Sequence, residues 1–188
     1  MRLLLILGGL FLALCGEPAN AGPWSFTLYG GPATYTIFTQ ALSGKAKIDG
    51  GLIGIAADRR LAYLGWGFNL MGEVQVQQFA FGPTYNSFAL GLGVEYHHFP
   101  WEASLPMAAS VYLGPTYSIA PPQIYPTDSL GSRKGLLNYL SIEFAFALPQ
   151  ARKWDAVFRL YHRSGLWGVY TLDPDEATVF CVGIRYRM

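Results

Sequence analysis

The chain has 188 residues, of which 52% are hydrophobic, 15% are aromatic and only 13% are charged. Its net charge of +1 and its lack of a basic cluster argue against nucleic acid as a partner. A chain of this length is expected to form a single folded domain.

The N-terminus has the pattern of a secretory signal peptide. One positive charge, Arg2, precedes an uncharged stretch at 3–15, which is followed by the small-residue pattern Ala19-Asn20-Ala21. The apolar stretch is too short to span a bilayer. We therefore predict a cleaved signal peptide at 1–21 and a mature domain at 22–188.

The two cysteines do not predict a disulfide. Lipoprotein processing at Cys15 is disfavoured because Leu14 is bulky where such processing needs a small residue. Once the signal peptide is removed, Cys181 is left alone and cannot form an intramolecular bridge. Its position in an alternating segment predicts an inward-facing packing residue.

The mature chain is apolar, yet no uninterrupted apolar run in it is long enough to form a transmembrane helix. A membrane protein without such a helix has to be a closed barrel. Eight strand-like segments begin near Trp24, Ile48, Ala62, Ser87, Pro106, Leu136, Trp154 and Ala177. The sequence thus predicts an all-β, eight-stranded antiparallel transmembrane β-barrel of the outer membrane of a Gram-negative cell.

Alternation along the segments assigns each side chain to the lipid or to the lumen. One face of the fourth segment carries Phe88, Leu90, Leu92, Val94 and Tyr96, and the other face carries Ala89, Gly91, Gly93, Glu95 and His97. The inward positions of the barrel also hold six charges, namely Glu73, Glu95, Glu143, Arg159, Arg185 and Arg187. An eight-stranded barrel is filled by its own side chains, so we expect a paired internal network and not a channel.

The connections are predicted to alternate in length. Short joins are expected near Arg59–Arg60 and 149–153, and long ones near 40–47, 120–135 and 165–175. With both termini in the periplasm, the long loops lie outside the cell.

Three polar residues share the outward face near the end of the chain: His162, Ser164 and Glu176. Ionisable groups at such positions are candidates for function. The alternative is that they lie at the headgroup level, where polar residues and aromatics such as Trp167 and Tyr170 are common.

The geometry of paired strands permits a catalytic triad. Residues two apart on a strand are separated by roughly 6.6 Å, and facing side chains on neighbouring strands by about 5 Å at Cβ. Ser164 is then the nucleophile, His162 the base that takes its proton, and Glu176 the acid that orients the imidazole. The His-x-Ser spacing also occurs by chance. The triad is favoured because all three residues lie at even-numbered positions and so share the outward face of their strands.

At 158–176 the chain resembles the outer-membrane lipid A 3-O-deacylases. These are eight-stranded barrels with a His-x-Ser pair near the end of the seventh strand and a Glu fourteen residues after the His, a spacing that His162, Ser164 and Glu176 reproduce. The resemblance implies a serine hydrolase without a cofactor that removes the ester-linked acyl chain at the 3 position of lipid A. It also implies that the site lies on the outer wall of the barrel.

The chain departs from this family directly after the serine. Members continue with Asn-Ala-Gly, and that Asn and Gly are implicated in the oxyanion hole, whereas this chain has Gly165-Leu166-Trp167-Gly168. Backbone N–H groups at Gly165 and Gly168 are the candidate substitutes. The loss of one oxyanion donor commonly lowers the rate by two to three orders of magnitude.

The expected partners are lipid A or lipopolysaccharide of the outer leaflet, with Phe158, Leu160 and Phe180 as the surface that meets the acyl chains. We expect no cofactor. We also expect no metal site, because the adjacent residues His97 and His98 face opposite ways on a strand.

Two other function classes compete with the enzyme. One is a non-catalytic eight-stranded barrel with an adhesive or membrane-stabilising role. The other, a soluble lipocalin-like binding protein, is disfavoured because the outward strand faces are too apolar for water. The role of Ser164 separates the enzyme from the non-catalytic barrel, and partitioning into membranes separates both from the soluble protein.

Overall fold

The structure is a computed structural model that describes residues 23–36, 38–82, 84–119, 135–151, 153–165 and 177–188. It contains eight strands: β1 (Trp24–Thr34), β2 (Gly50–Gly65), β3 (Phe68–Ala80), β4 (Tyr85–Tyr96), β5 (Met107–Ile119), β6 (Leu136–Ala147), β7 (Trp154–Ser164) and β8 (Ala177–Arg187). One short helix, α1 (Phe38–Leu42), lies between β1 and β2. Residues 1–21, the predicted signal peptide, lie outside the described residues.

Each strand pairs antiparallel with its neighbours in sequence, and β1 pairs with β8 to close the barrel. Leu28 of β1, for example, lies opposite Ile184 of β8. Closure removes the free edges, so the backbone groups of the sheet bond to one another. This is the predicted eight-stranded antiparallel barrel. Within the described residues, no helix has the length and apolarity needed to cross a membrane.

The alternation of side chains follows the prediction. On β7 the odd-numbered residues Asp155, Val157 and Arg159 are buried, whereas Phe158 is 53% exposed. On β8 the buried Cys181 lies between the exposed Phe180 and Val182. Large apolar side chains therefore cover the outside of the barrel, where lipid replaces water as the solvent.

The lumen is filled by an ionic network centred on Arg159. Its Nη2 lies 2.5 Å from Oε2 of both Glu73 and Glu143, and all three side chains are fully buried. Arg185 also pairs with Glu143, and its Nη2 lies 3.7 Å from Asp58 Oδ2. The predicted internal network is thus present, and it closes the middle of the lumen.

The ion pairs of the lumen differ in part from the predicted network. Among the described residues, the ion pairs do not include Glu95, which accepts a hydrogen bond of 3.0 Å from Asn69 Nδ2. The sequence reasoning also missed Asp155, whose Oδ1 lies 2.9 Å from Arg187 Nη2.

We call the end of the barrel where β1, β3, β5 and β7 finish the loop end, and the opposite one the turn end. The lumen is not filled throughout, because a cavity of about 390 Å³ opens at the turn end, lined among others by Asp58, Glu95 and His97. The aromatic residues Trp24, Trp154 and Tyr186 also lie at the turn end, as expected at a membrane interface.

The join predicted at Arg59–Arg60 is wrong. β2 continues through these residues to Gly65, with register shifts in its pairing with β3 between Arg60 and Ala62 and between Tyr63 and Gly65. The chain reverses at Gly65-Trp66-Gly67, where all three residues have positive φ, of 95°, 51° and 83°. Glycine adopts such angles without strain, which is why the turn forms there. Trp66 is 91% exposed in this turn and is not part of the third strand.

The predicted alternation of connection lengths holds only in part. At the loop end, the connection from β1 to β2 (35–49) is long, but the connection from β3 to β4 (81–84) is short. At the turn end, the connection from β4 to β5 (97–106) is longer than that from β6 to β7 (148–153). The two remaining loops of the loop end, at 120–135 and 165–176, lie almost entirely outside the described residues.

Candidate active site on the outer wall

The end of β7 turns two neighbouring residues in opposite directions. Arg163 is 1% exposed and points into the lumen, where its Nη1 donates a hydrogen bond of 2.5 Å to Ser118 Oγ. His162 and Ser164 occupy the alternate positions and face outward with Phe158 and Leu160. The predicted outward placement of His162 and Ser164 therefore agrees with the structure.

His162 faces outward and yet is only 8% exposed. The ring of Phe38, the first residue of α1, lies over it with 4.6 Å between ring centroids and an interplanar angle of 50°. Helix α1 follows β1 and folds back against β8, which brings it over the end of β7. The imidazole is thus shielded on the outer wall by an aromatic side chain from another element.

One nitrogen of His162 has a partner on the next strand. His162 and Thr178 face each other in the pairing of β7 with β8, and Nδ1 lies 3.0 Å from Thr178 Oγ1. Thr178 is fully buried, although its position on β8 is an outward one. A histidine whose Nδ1 is held in this way presents its other nitrogen, Nε2, for proton transfer.

Ser164 is the last residue of β7, where it is half-buried and lies opposite Asn138 of β6. It shares the outward face with His162, two positions away, at the roughly 6.6 Å spacing from which an imidazole can reach a hydroxyl. The structure therefore brings two of the three predicted triad residues to one end of one face.

Some of the remaining predicted site residues are described by the structure and others are not. Glu176 and Gly168 lie outside the described residues, whereas Gly165 directly follows β7 and is buried. The predicted apolar surface is present below His162. Leu160 lies opposite Phe180 in the β7–β8 pairing, and Phe180 is 44% exposed.

Two residues that contact the His162 ring, Thr178 and Phe38, were not predicted from the sequence. Thr178 had a usable signal, because it shares the outward parity of Glu176 and Phe180 on the last strand. Phe38 had none, since α1 is too short to show a helical period. In the parts of the chain that the structure describes, no group of three His, Cys, Asp or Glu residues is arranged to hold a metal ion.

No family profile and no curated protein sequence matches the chain. Solved structures match its fold. The outer membrane enzyme PagL aligns with 87% of this chain and 99% of its own, with a TM-score of 0.55 and 12% identity. The Neisserial surface protein A (NspA) aligns with 90% of this chain and 99% of its own, with a TM-score of 0.55 and 10% identity.

A third match is Ail, the attachment invasion locus protein of Yersinia pestis. It aligns with 90% of this chain and 99% of its own, with a TM-score of 0.51 and 10% identity. At these identities the likeness concerns the fold alone. The chain has the fold of these small outer-membrane barrels.

Proposed function

We propose that this protein is an outer-membrane serine esterase that removes the ester-linked acyl chain at the 3 position of lipid A. The observation that carries the proposal is His162, an outward-facing histidine that is shielded by Phe38 and hydrogen-bonded to Thr178. A solvated surface histidine needs neither a cover nor a partner. A polar group on the lipid side of a barrel is energetically unfavourable. One that is held there by specific contacts is therefore a candidate for function.

In the proposed reaction Ser164 Oγ attacks the ester carbonyl while His162 takes the hydroxyl proton. Collapse of the tetrahedral intermediate breaks the ester bond, and His162 returns the proton to the alkoxide of the sugar. Water then hydrolyses the acyl-serine by the same route. Glu176 is proposed to stabilise the imidazolium, and the N–H groups of Gly165 and Gly168 to bind the oxyanion, without a cofactor.

The substrate is proposed to arrive laterally, through the outer leaflet. The outward-facing apolar residues Phe158, Leu160 and Phe180 form the wall directly below His162. Lipid A or lipopolysaccharide that rests its acyl chains on this wall places its ester bonds near the headgroup level, where Ser164 ends β7. The lumen offers no such route, because the Arg159 network fills its middle. This placement requires export through the cleaved signal peptide at 1–21.

Fatty acid release from lipid A in mixed detergent micelles tests the proposal. We expect the purified mature protein to release the 3-linked acyl chain, and Ser164→Ala and His162→Asn to abolish the release while the barrel stays folded. Glu176→Ala should keep a residue of activity, because orienting groups are often less costly to lose than the nucleophile or the base.

Ser141→Ala is the matched control. Ser141 is fully buried in the lumen, and its hydroxyl has no hydrogen-bond partner among the described residues. Its loss should therefore change neither folding nor activity. Deacylation by the Ser164→Ala protein at the wild-type rate would exclude the triad.

A non-catalytic barrel with an adhesive or membrane-stabilising role is the second candidate. NspA and Ail, a surface protein and an attachment protein, match the fold about as well as the enzyme PagL does. The replacement of Asn-Ala-Gly by Gly165-Leu166-Trp167-Gly168 also favours this candidate. The Ser164→Ala comparison separates the two, since only the enzyme depends on that hydroxyl.

A further inference from the structure

The hydrogen bond between His162 and Thr178 is made by Nδ1 of the imidazole. In a catalytic histidine, the hydrogen bond at this nitrogen orients the ring. Nδ1 carries at most one hydrogen, so it makes one strong hydrogen bond in the plane of the ring. Thr178 Oγ1 lies 3.0 Å away at this position. In the triad predicted from the sequence, the same position belongs to Glu176.

Around the ring, Thr178 and the predicted nucleophile Ser164 are polar, and the other neighbouring positions named below are apolar. On β6 the residue opposite His162 is Leu140, and on its own strand the preceding outward residue is Leu160. Phe38 of α1 covers the ring. A hydrogen bond surrounded by apolar groups is stronger than one in water, and it is costly to leave unmade.

We propose that Thr178 is a positioning residue for His162, an inference that rests on the proposed esterase function. Thr178 Oγ1 accepts the Nδ1 hydrogen, which fixes the tautomer in which Nε2 carries the lone pair. When Ser164 attacks, its proton moves to Nε2, while the other hydrogen stays on Nδ1 and remains hydrogen-bonded to Thr178 Oγ1. The imidazolium is therefore oriented by a neutral hydroxyl.

Two substitutions separate the hydroxyl from the shape of the side chain. Thr178→Val keeps the branched shape and removes the oxygen, whereas Thr178→Ser keeps the oxygen and removes a methyl group. For the purified mature protein acting on lipid A in micelles, we expect Thr178→Val to lower kcat by about tenfold, the equivalent of one lost hydrogen bond. KM should stay unchanged, because Thr178 is buried and does not contact the substrate. Thr178→Ser should restore kcat close to the wild-type value.

A second readout does not depend on turnover. Nitrogen NMR of the ring-labelled histidines reports which nitrogen of His162 carries the hydrogen, and the His162→Asn spectrum identifies its signals among the three histidines of the chain. We expect the Nδ1-protonated form in the wild type and in Thr178→Ser, and a mixture of tautomers in Thr178→Val.

The two readouts distinguish failure of the inference from failure of the proposed function. If the wild type releases no fatty acid, the esterase proposal fails, and the spectra alone decide the role of Thr178. The inference is overturned if Thr178→Val keeps the wild-type kcat, if Val and Ser impair the enzyme equally, or if all three spectra show the same tautomers.

Discussion

At the scale of single residues, the barrel places like-charged groups in very different surroundings. Arg159 and Arg187 both face the lumen and both pair with carboxylates. The Arg159 side chain is fully buried between Glu73 and Glu143, whereas that of Arg187 is 46% exposed at the turn end. Water reaches the Arg187 guanidinium and not that of Arg159, so removal of the two arginines should have very different costs in stability.

Arg159→Met is expected to lower the free energy of unfolding by about 3 to 5 kcal/mol. The substitution leaves two buried carboxylates near each other without their shared cation. Urea unfolding of the barrel in detergent micelles, followed by the mobility of the folded form on a gel, measures the change.

Arg187→Met provides the matched control, since the same side chain is introduced at the pair whose arginine is half-exposed. We expect a smaller change there, of about 1 kcal/mol, because water reaches the Arg187 side. Equal effects of the two substitutions would contradict the expectation that burial makes the loss of Arg159 more costly than the loss of Arg187.

The residues of this network show when the alternation of odd and even positions along a strand predicts which side chains face the lumen. Glu73, Glu143, Arg159 and Arg185 were predicted to face inward, and they do. Asp58 was missed because the predicted turn at Arg59–Arg60 placed it at the end of a strand. In the structure it lies inside a continuous β2 and faces the lumen. Parity assigns a face only where the strand boundaries are right.

At the scale of elements, α1, which lies in the loop after β1, contacts the candidate site. The helix brings Phe38 over His162, while Leu42 at its other end is 54% exposed. A helix this short is not stable by itself and is held by its contacts with the barrel. This explains why local sequence did not predict it.

Phe38→Ala should expose the His162 imidazole. We expect diethyl pyrocarbonate to modify His162 faster in this variant than in the wild type, because the covering ring is gone. Peptide mass spectrometry follows His162 separately from His97 and His98 at the other end of the barrel.

Leu42→Ala alters the same helix at an exposed position and should leave the modification rate unchanged. If Phe38→Ala also leaves the rate unchanged, α1 does not shield His162 in the membrane-embedded protein.

At the scale of the whole molecule, the fold was predictable and the activity is not fixed by it. The alternation of apolar and polar residues along each strand and the even number of strands can be read from the sequence, and the closed barrel confirms both. The same fold serves the enzyme PagL and the surface protein NspA with equal TM-scores. Activity depends instead on a few side chains at one end of one wall. Two contacts of that site, from Phe38 and Thr178, arise only when distant segments meet.

Mass spectrometry of lipid A from the outer membranes of cells with and without this protein is the sharpest test of the proposed esterase. We expect a lipid A species lacking the 3-linked acyl chain in cells that carry the wild type or Ser141→Ala. That species should be absent from cells that carry Ser164→Ala at the same level of folded barrel. Identical lipid A in all of these cells would contradict the esterase and leave the non-catalytic barrel as the function.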